Sequence, residues 1–132
     1  MKRLLSVVIG IMILSGTILA QAAAEDKLTC ALTKAYACTS DEGCAVVALQ
    51  DMNLPRFIGI DFGTKAITSL DKSVTREGTK FAAVDKIQGM TVLHGSEQRG
   101  WSLAIGDQSG DLTISASGDG ESFTVFGSCI MP

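Results

Sequence analysis

Histidine occurs once in 132 residues, and tryptophan and tyrosine once each. Any histidine-dependent chemistry must therefore run through His94, and a site built from several imidazoles is excluded. No C-x-x-C pair is present, which removes the usual dithiol redox motif and the paired spacing of structural zinc sites. No serine stands in a G-x-S-x-G elbow, so a serine nucleophile of that kind is absent as well. Lysines and arginines form no block, and without a basic patch there is no electrostatic footprint for nucleic acid or for adsorption to an anionic membrane surface. There is no internal repeat and no low-complexity linker. The longest apolar stretch, Leu4 to Leu19, is shorter than the roughly 20 residues that span a bilayer.

That stretch has another meaning. Met1-Lys2-Arg3 forms a basic start, and Ala20-Gln21-Ala22-Ala23-Ala24 follows the apolar run with the small residues a signal peptidase requires. Residues 1–24 read as a cleaved signal peptide and residues 25–132 as a single domain, periplasmic or secreted, with no membrane anchor after cleavage. Lys27-Leu28-Thr29-Cys30 lacks the small residue that precedes a lipidated cysteine. The 108 residues that remain carry nine cations against 14 acids, a net charge of −5, with the acids scattered as on a solvated surface.

All four cysteines, Cys30, Cys38, Cys44 and Cys129, lie in that part. In an oxidising compartment they imply two disulfides, for which three connectivities exist. Thr39-Ser40-Asp41-Glu42-Gly43 is a turn-like insert, so Cys38–Cys44 would staple a local hairpin. Cys30–Cys129 would then tie the first strand to the last.

Beyond Cys44, short apolar runs alternate with glycine, aspartate and serine, the pattern of antiparallel strands. Ala45–Leu49 fits a strand or a helical turn. Arg56–Phe62 is a strand with Ile58, Ile60 and Phe62 on one face and Phe57, Gly59 and Asp61 on the other. Lys65–Leu70, Thr79–Ile87 and Met90–Gly95 are further strands, and Asp71–Gly78 is a loop. Trp101, Leu103 and Ile105, then Leu112, Ile114 and Ala116, then Phe123, Val125, Gly127 and Cys129 mark three strands joined by turns at Gly106–Gly110 and Ser117–Gly120. The expected fold is an all-β antiparallel meander of about eight strands, closed into a disulfide-tied barrel, with a β-sandwich as the alternative.

Read in order, Asp41-Glu42-Gly43-Cys44, Leu54-Pro55-Arg56-Phe57-Ile58, Gly100-Trp101-Ser102-Leu103-Ala104-Ile105, Gly110-Asp111-Leu112-Thr113 and Phe126-Gly127-Ser128-Cys129 resemble a family of small exported bacterial proteins of no assigned activity. A weaker likeness is to bacterial inhibitors of c-type lysozyme, also small exported β-barrels with a disulfide. Those carry a serine-glycine loop followed by tyrosine, whereas Ser117-Gly118 here precedes Asp119-Gly120-Glu121. Neither likeness brings a catalytic residue with it.

His94 could work with Glu97 or Asp107, though no spacing unites them. Asp61, Asp71 and Asp85 are the candidates for paired-carboxylate chemistry. Asp107, Asp111, Asp119 and Glu121 are the candidates for calcium, without a regular loop motif. No metal site or cofactor is assigned. Trp101 is a core anchor by default and otherwise a stacking or docking residue, Arg99 is a solvated loop charge or orients an anionic ligand at a barrel mouth, and Ser117, Gly118 and Asp119 form a candidate contact loop. Together these features imply a non-enzymatic exported binding module rather than an enzyme using His94. Its partner would be an envelope or foreign protein engaged through the turns, such as a lysozyme-like hydrolase; a small ligand inside the barrel is the alternative. Phe57, Phe62, Phe81, Phe123, Phe126 and Trp101 are enough large side chains to fill a small barrel, which favours the protein partner.

Overall fold

The computed structural model describes residues 26–131; the leader expected at 1–24 lies outside them. Ten strands follow one another: β1 (Lys27–Thr39), β2 (Gly43–Val47), β3 (Phe57–Asp61), β4 (Ala66–Ser69), β5 (Thr79–Lys80), β6 (Ala83–Ile87), β7 (Met90–Ser96), β8 (Gly100–Gly106), β9 (Asp111–Ser117) and β10 (Glu121–Ile130). A 3₁₀ turn at Gln50–Met52, not foreseen, separates β2 from β3. All pairings are antiparallel and form one sheet in the order β5-β4-β3-β1-β10-β9-β8-β7-β6, with β2 also on β1.

The 13-residue β1 is the axis of this arrangement. One edge pairs with β10 from Thr29 to Thr39. The other edge is shared, Lys27–Ala31 pairing with β3 and Ala35–Thr39 with β2. The register to β10 slips between Leu32 and Lys34, a bulge that bends the strand. Its partner there is Gly127, where a Cβ would lie 2.2 Å from the Ala31 carbonyl oxygen. Only a residue without a side chain fits.

The inward face follows the alternation of the sequence. Leu28, Cys30, Leu32 and Ala35 of β1, Ile58 and Ile60 of β3, Leu93 of β7, Leu103 and Ile105 of β8, Leu112 of β9, and Val125 and Cys129 of β10 form a single buried cluster with Phe81. Each large member contributes roughly 1.5–3 kcal/mol by leaving water. Both disulfides expected from the sequence form, Cys30–Cys129 and Cys38–Cys44. Each joins residues directly opposite across a ladder.

The closed barrel of about eight strands is not what the chain builds, and neither is a two-sheet sandwich. The sheet is single, curled into a half-barrel and open, with no ladder between β5 and β6. The segment expected as one strand, Thr79–Ile87, divides because its two ends serve opposite edges of the sheet. Thr79–Lys80 pairs with β4 and Ala83–Ile87 with β7. Between them the Phe81 amide donates to the Lys65 carbonyl at 3.1 Å and the Ala82 amide to the His94 carbonyl at 2.8 Å. Phe81 is 3% exposed and meets Phe62 edge-on, ring centroids 6.1 Å apart, plugging that end of the interior.

Loop length separates the two disulfides energetically. The long loop closed by Cys30–Cys129 restricts the unfolded chain by roughly 4–5 kcal/mol, and the short one by roughly 2 kcal/mol. Urea unfolding of Cys30→Ala/Cys129→Ala should therefore show the larger loss, and of Cys38→Ala/Cys44→Ala the smaller; the reverse order would contradict the assignment of β1–β10 as the seam. Gly127→Ala should lose about 2–3 kcal/mol, near the top of the usual range for one substitution, in the same assay.

Candidate binding cleft

At the open end of the half-barrel lies a cleft of about 840 Å³, within the usual range of small-molecule sites. Leu32, Ile58, Leu103, Ile114 and Val125 form its apolar floor. Three segments raise its walls: Asp51–Pro55, which begins within the 3₁₀ turn, Arg76–Gly78 before β5, and Glu97–Arg99 between β7 and β8.

Trp101 lies in the wall because of where β8 runs. Its cross-strand neighbours are Gly95 and Ala116, and the indole rests on Gly95, where a Cβ would sit 2.3 Å from Trp101 Cζ2. The indole N–H is buried and has no hydrogen-bond acceptor. A buried donor left unpaired costs about 1–3 kcal/mol.

Arg99 lies just before β8. Its guanidinium Nε donates to Glu121 Oε1 at 2.9 Å, with Nη2 donating to the same oxygen. It stacks over the Phe123 ring at 4.8 Å. Across the mouth Arg76 meets Glu97 at 3.5 Å, joining the β4–β5 loop to the β7–β8 turn. Both arginines of the rim thus face a glutamate within the protein.

Of the five candidate residues, Trp101 and Arg99 line the cleft. Gly118 stands behind Arg99, its Cβ position 3.3 Å from Arg99 Nε. Ser117 sits in the ladder opposite Gly100 and Ser122. Asp119 is exposed in the β9–β10 turn, which is tied to the β1–β2 hairpin by the Ser40 amide donating to Gly120 O at 2.9 Å. Ser117, Gly118 and Asp119 therefore form a rim turn beside the cleft. Arg76, Glu97, Phe123 and the Asp51–Pro55 wall were not foreseen, because they converge only when loops distant in sequence meet.

The aromatic residues do not fill the interior as their number suggested. Phe57 and Phe126 lie on the outer face, 51% and 42% exposed, while Phe123 and Trp101 line the cleft.

The proposed carboxylate constellations separate. His94 Nε2 faces Asp85 Oδ2 at 3.1 Å on the outer face, not Glu97 or Asp107. Asp61 pairs with Lys27 at 3.4 Å, and Asp71 accepts from the Ser73 amide and hydroxyl at 2.9 and 2.6 Å. Among the described residues no three histidine, cysteine, aspartate or glutamate side chains gather round one point. Glu121 is held by Arg99, and Asp107 lies at the inner end of β7, where the buried Thr91 donates to it at 2.6 Å and Lys86 approaches to 3.3 Å.

Comparisons with protein-family models, with curated proteins and with solved structures find no match to this chain. The two disulfides formed by its four cysteines are the part of the family resemblance present in the structure.

The Thr91 hydroxyl, and after it Lys86, hold the Asp107 carboxyl below its ordinary range. The Thr64 amide does the same for Asp61, with help from Lys27, and Ser73 for Asp71. A carboxylate whose pKa is lowered by folding stabilises the fold above its unfolded value near 4, and that contribution fades as the pH falls through the folded value. Unfolding midpoints should thus fall below about pH 4. Thr91→Val should raise the Asp107 pKa in an NMR titration and flatten part of this acid limb; an unmoved Asp107 would show the hydroxyl to be irrelevant.

Proposed function

We propose that the protein is a non-enzymatic, exported binding module whose recognition element is the cleft, taking a small ligand with an apolar body and an uncharged polar head. The observation that carries this is the open, apolar-floored cleft with Trp101 in its wall. The rim supports the choice of head group. Arg76 and Arg99 already face Glu97 and Glu121, while Asp51 and Glu77 add acid to the lining. An anionic ligand would meet more negative than positive charge there, and a neutral one loses nothing. The sequence leader and the two disulfides support a periplasmic or secreted setting.

A second reading, docking on a protein partner such as a hydrolase, rests on the Ser117–Gly120 turn. That turn is anchored by Arg99–Glu121 and by the Ser40 amide, and a rigid turn loses little entropy on binding.

Trp101 is the only tryptophan, so intrinsic fluorescence reports directly on the cleft. Titration with n-octyl glucoside below its micellar range should shift the emission saturably, with octanoate binding markedly more weakly. Ala116→Phe, which fills the wall beside Trp101, should abolish the shift while near-UV dichroism of the fold persists. An unresponsive tryptophan in the intact protein would remove the small-ligand reading and leave the turn.

A further inference from the structure

The two disulfides differ in what surrounds them. Cys30 and Cys129 are 1% and 9% exposed, inside the core cluster. Cys38 and Cys44 sit in the β1–β2 hairpin, where Gly43 to Val46 of β2 are all exposed, Cys44 among them. Strand β2 has only β1 as a ladder neighbour. The chain leaving it passes through Leu49 into the 3₁₀ turn, whose Asp51 and Met52 begin the Asp51–Pro55 wall of the cleft. That wall is held by short-range hydrogen bonds, the Met52 amide donating to Leu49 O at 3.1 Å, Asn53 to Gln50 O at 3.0 Å and Leu54 to Leu49 O at 2.9 Å, and by Leu49, Met52 and Leu54 resting on the edge of the core. No residue of the turn itself is buried.

We infer that Cys38–Cys44 is a redox-addressable clasp that fixes one wall of the cleft, opened by a dithiol reductant while Cys30–Cys129 stays closed. A thiolate must approach a disulfide sulfur directly, so access sets which bond exchanges first. The reductant's thiolate attacks Cys44 Sγ and displaces Cys38 as a thiolate. Its second sulfur then attacks the mixed disulfide and releases Cys44. The protein ends with two thiols, having gained two electrons and two protons, and the reductant ends as its own disulfide. Opening the clasp leaves the core and the β1–β10 seam intact but lets β2 and the wall behind it separate more readily from β1. The consequence for ligand retention rests on the cleft being the recognition element; the order of opening does not.

Graded dithiothreitol, followed by alkylation and peptide mapping of the folded protein, tests the first part. Cys38 and Cys44 should be labelled roughly tenfold or more faster than Cys30 and Cys129; equal rates, or Cys30–Cys129 opening first, would overturn the clasp. Hydrogen exchange on Cys38→Ser/Cys44→Ser, and on wild type stopped after the first reduction, tests the second. The Met52, Asn53 and Leu54 amides should exchange faster while those of Leu93, Leu103 and Ile105 do not change. Acceleration confined to Thr39–Gly43 would show that the clasp does not reach the wall. In the same samples n-octyl glucoside should bind more weakly than to the intact protein, and unaltered affinity would sever clasp from cleft. If the intact protein binds no octyl glucoside, the small-ligand function fails, and the labelling order and exchange map still decide the clasp.

Discussion

The pairing of β1 with β10 is the contact on which the other pieces depend. Strand β1 is the only one that binds neighbours along both edges in three separate ladders, so the meander from β7 to β10 and the smaller group of β3 to β5 are joined through it. Cys30–Cys129 lies in that seam, and its two sulfurs are part of the apolar core rather than an external staple. A domain of about 100 residues has a net stability of roughly 5–15 kcal/mol, so a constraint in this position carries weight. The bulge at Leu32–Lys34 bends the strand where the floor of the cleft begins, with Leu32 itself in that floor.

The cleft exists because the sheet curls without closing. A closed barrel of about eight strands has an interior that side chains alone can fill. Here the plug is Phe81 at one end, and at the other the large residues are few enough to leave space. Charge pairing across the mouth, Arg76 to Glu97, holds together two loops that the backbone leaves unladdered. Exposed pairs of this kind are worth little individually. Their effect is on the shape and polarity of the entrance.

Much of the fold was legible because strand alternation is a local signal. Ile58 and Ile60 point inward and Phe57 outward, as their spacing required, and Leu103, Ile105, Leu112, Val125 and Cys129 are buried where the three-strand meander placed them. The disulfide pairing was legible too, one from the short insert and the other from the positions near the ends. Topology was not. Nothing in Thr79–Ile87 marks Phe81 and Ala82 as the place where the chain changes edges, because the signal is hydrogen bonding to Lys65 and His94, partners far away in sequence. Counting aromatics misjudged the interior for a related reason, since composition does not record which face of a strand a phenylalanine occupies. Trp101 and Arg99, both singled out in the sequence, line the same cleft, whereas Arg76 in its polar loop carried no local mark.

The passage of the chain through Phe81 and Ala82 also bears on how the molecule stays apart from its copies. An open sheet ordinarily presents two strand edges with idle backbone groups, each a template for a foreign strand. Here both end strands come from one stretch of chain. The β5 edge is only two residues long, and β6 carries Asp85 and Lys86 at its middle, with the exposed Lys86 side chain reaching over to Thr91 and Asp107. A neighbouring molecule attempting to add a strand would have to bury that lysine or displace it from its carboxylate. The same geometry that keeps the cleft open therefore blunts these two edges against strand addition, and β2, paired with β1 alone, retains a free edge of its own.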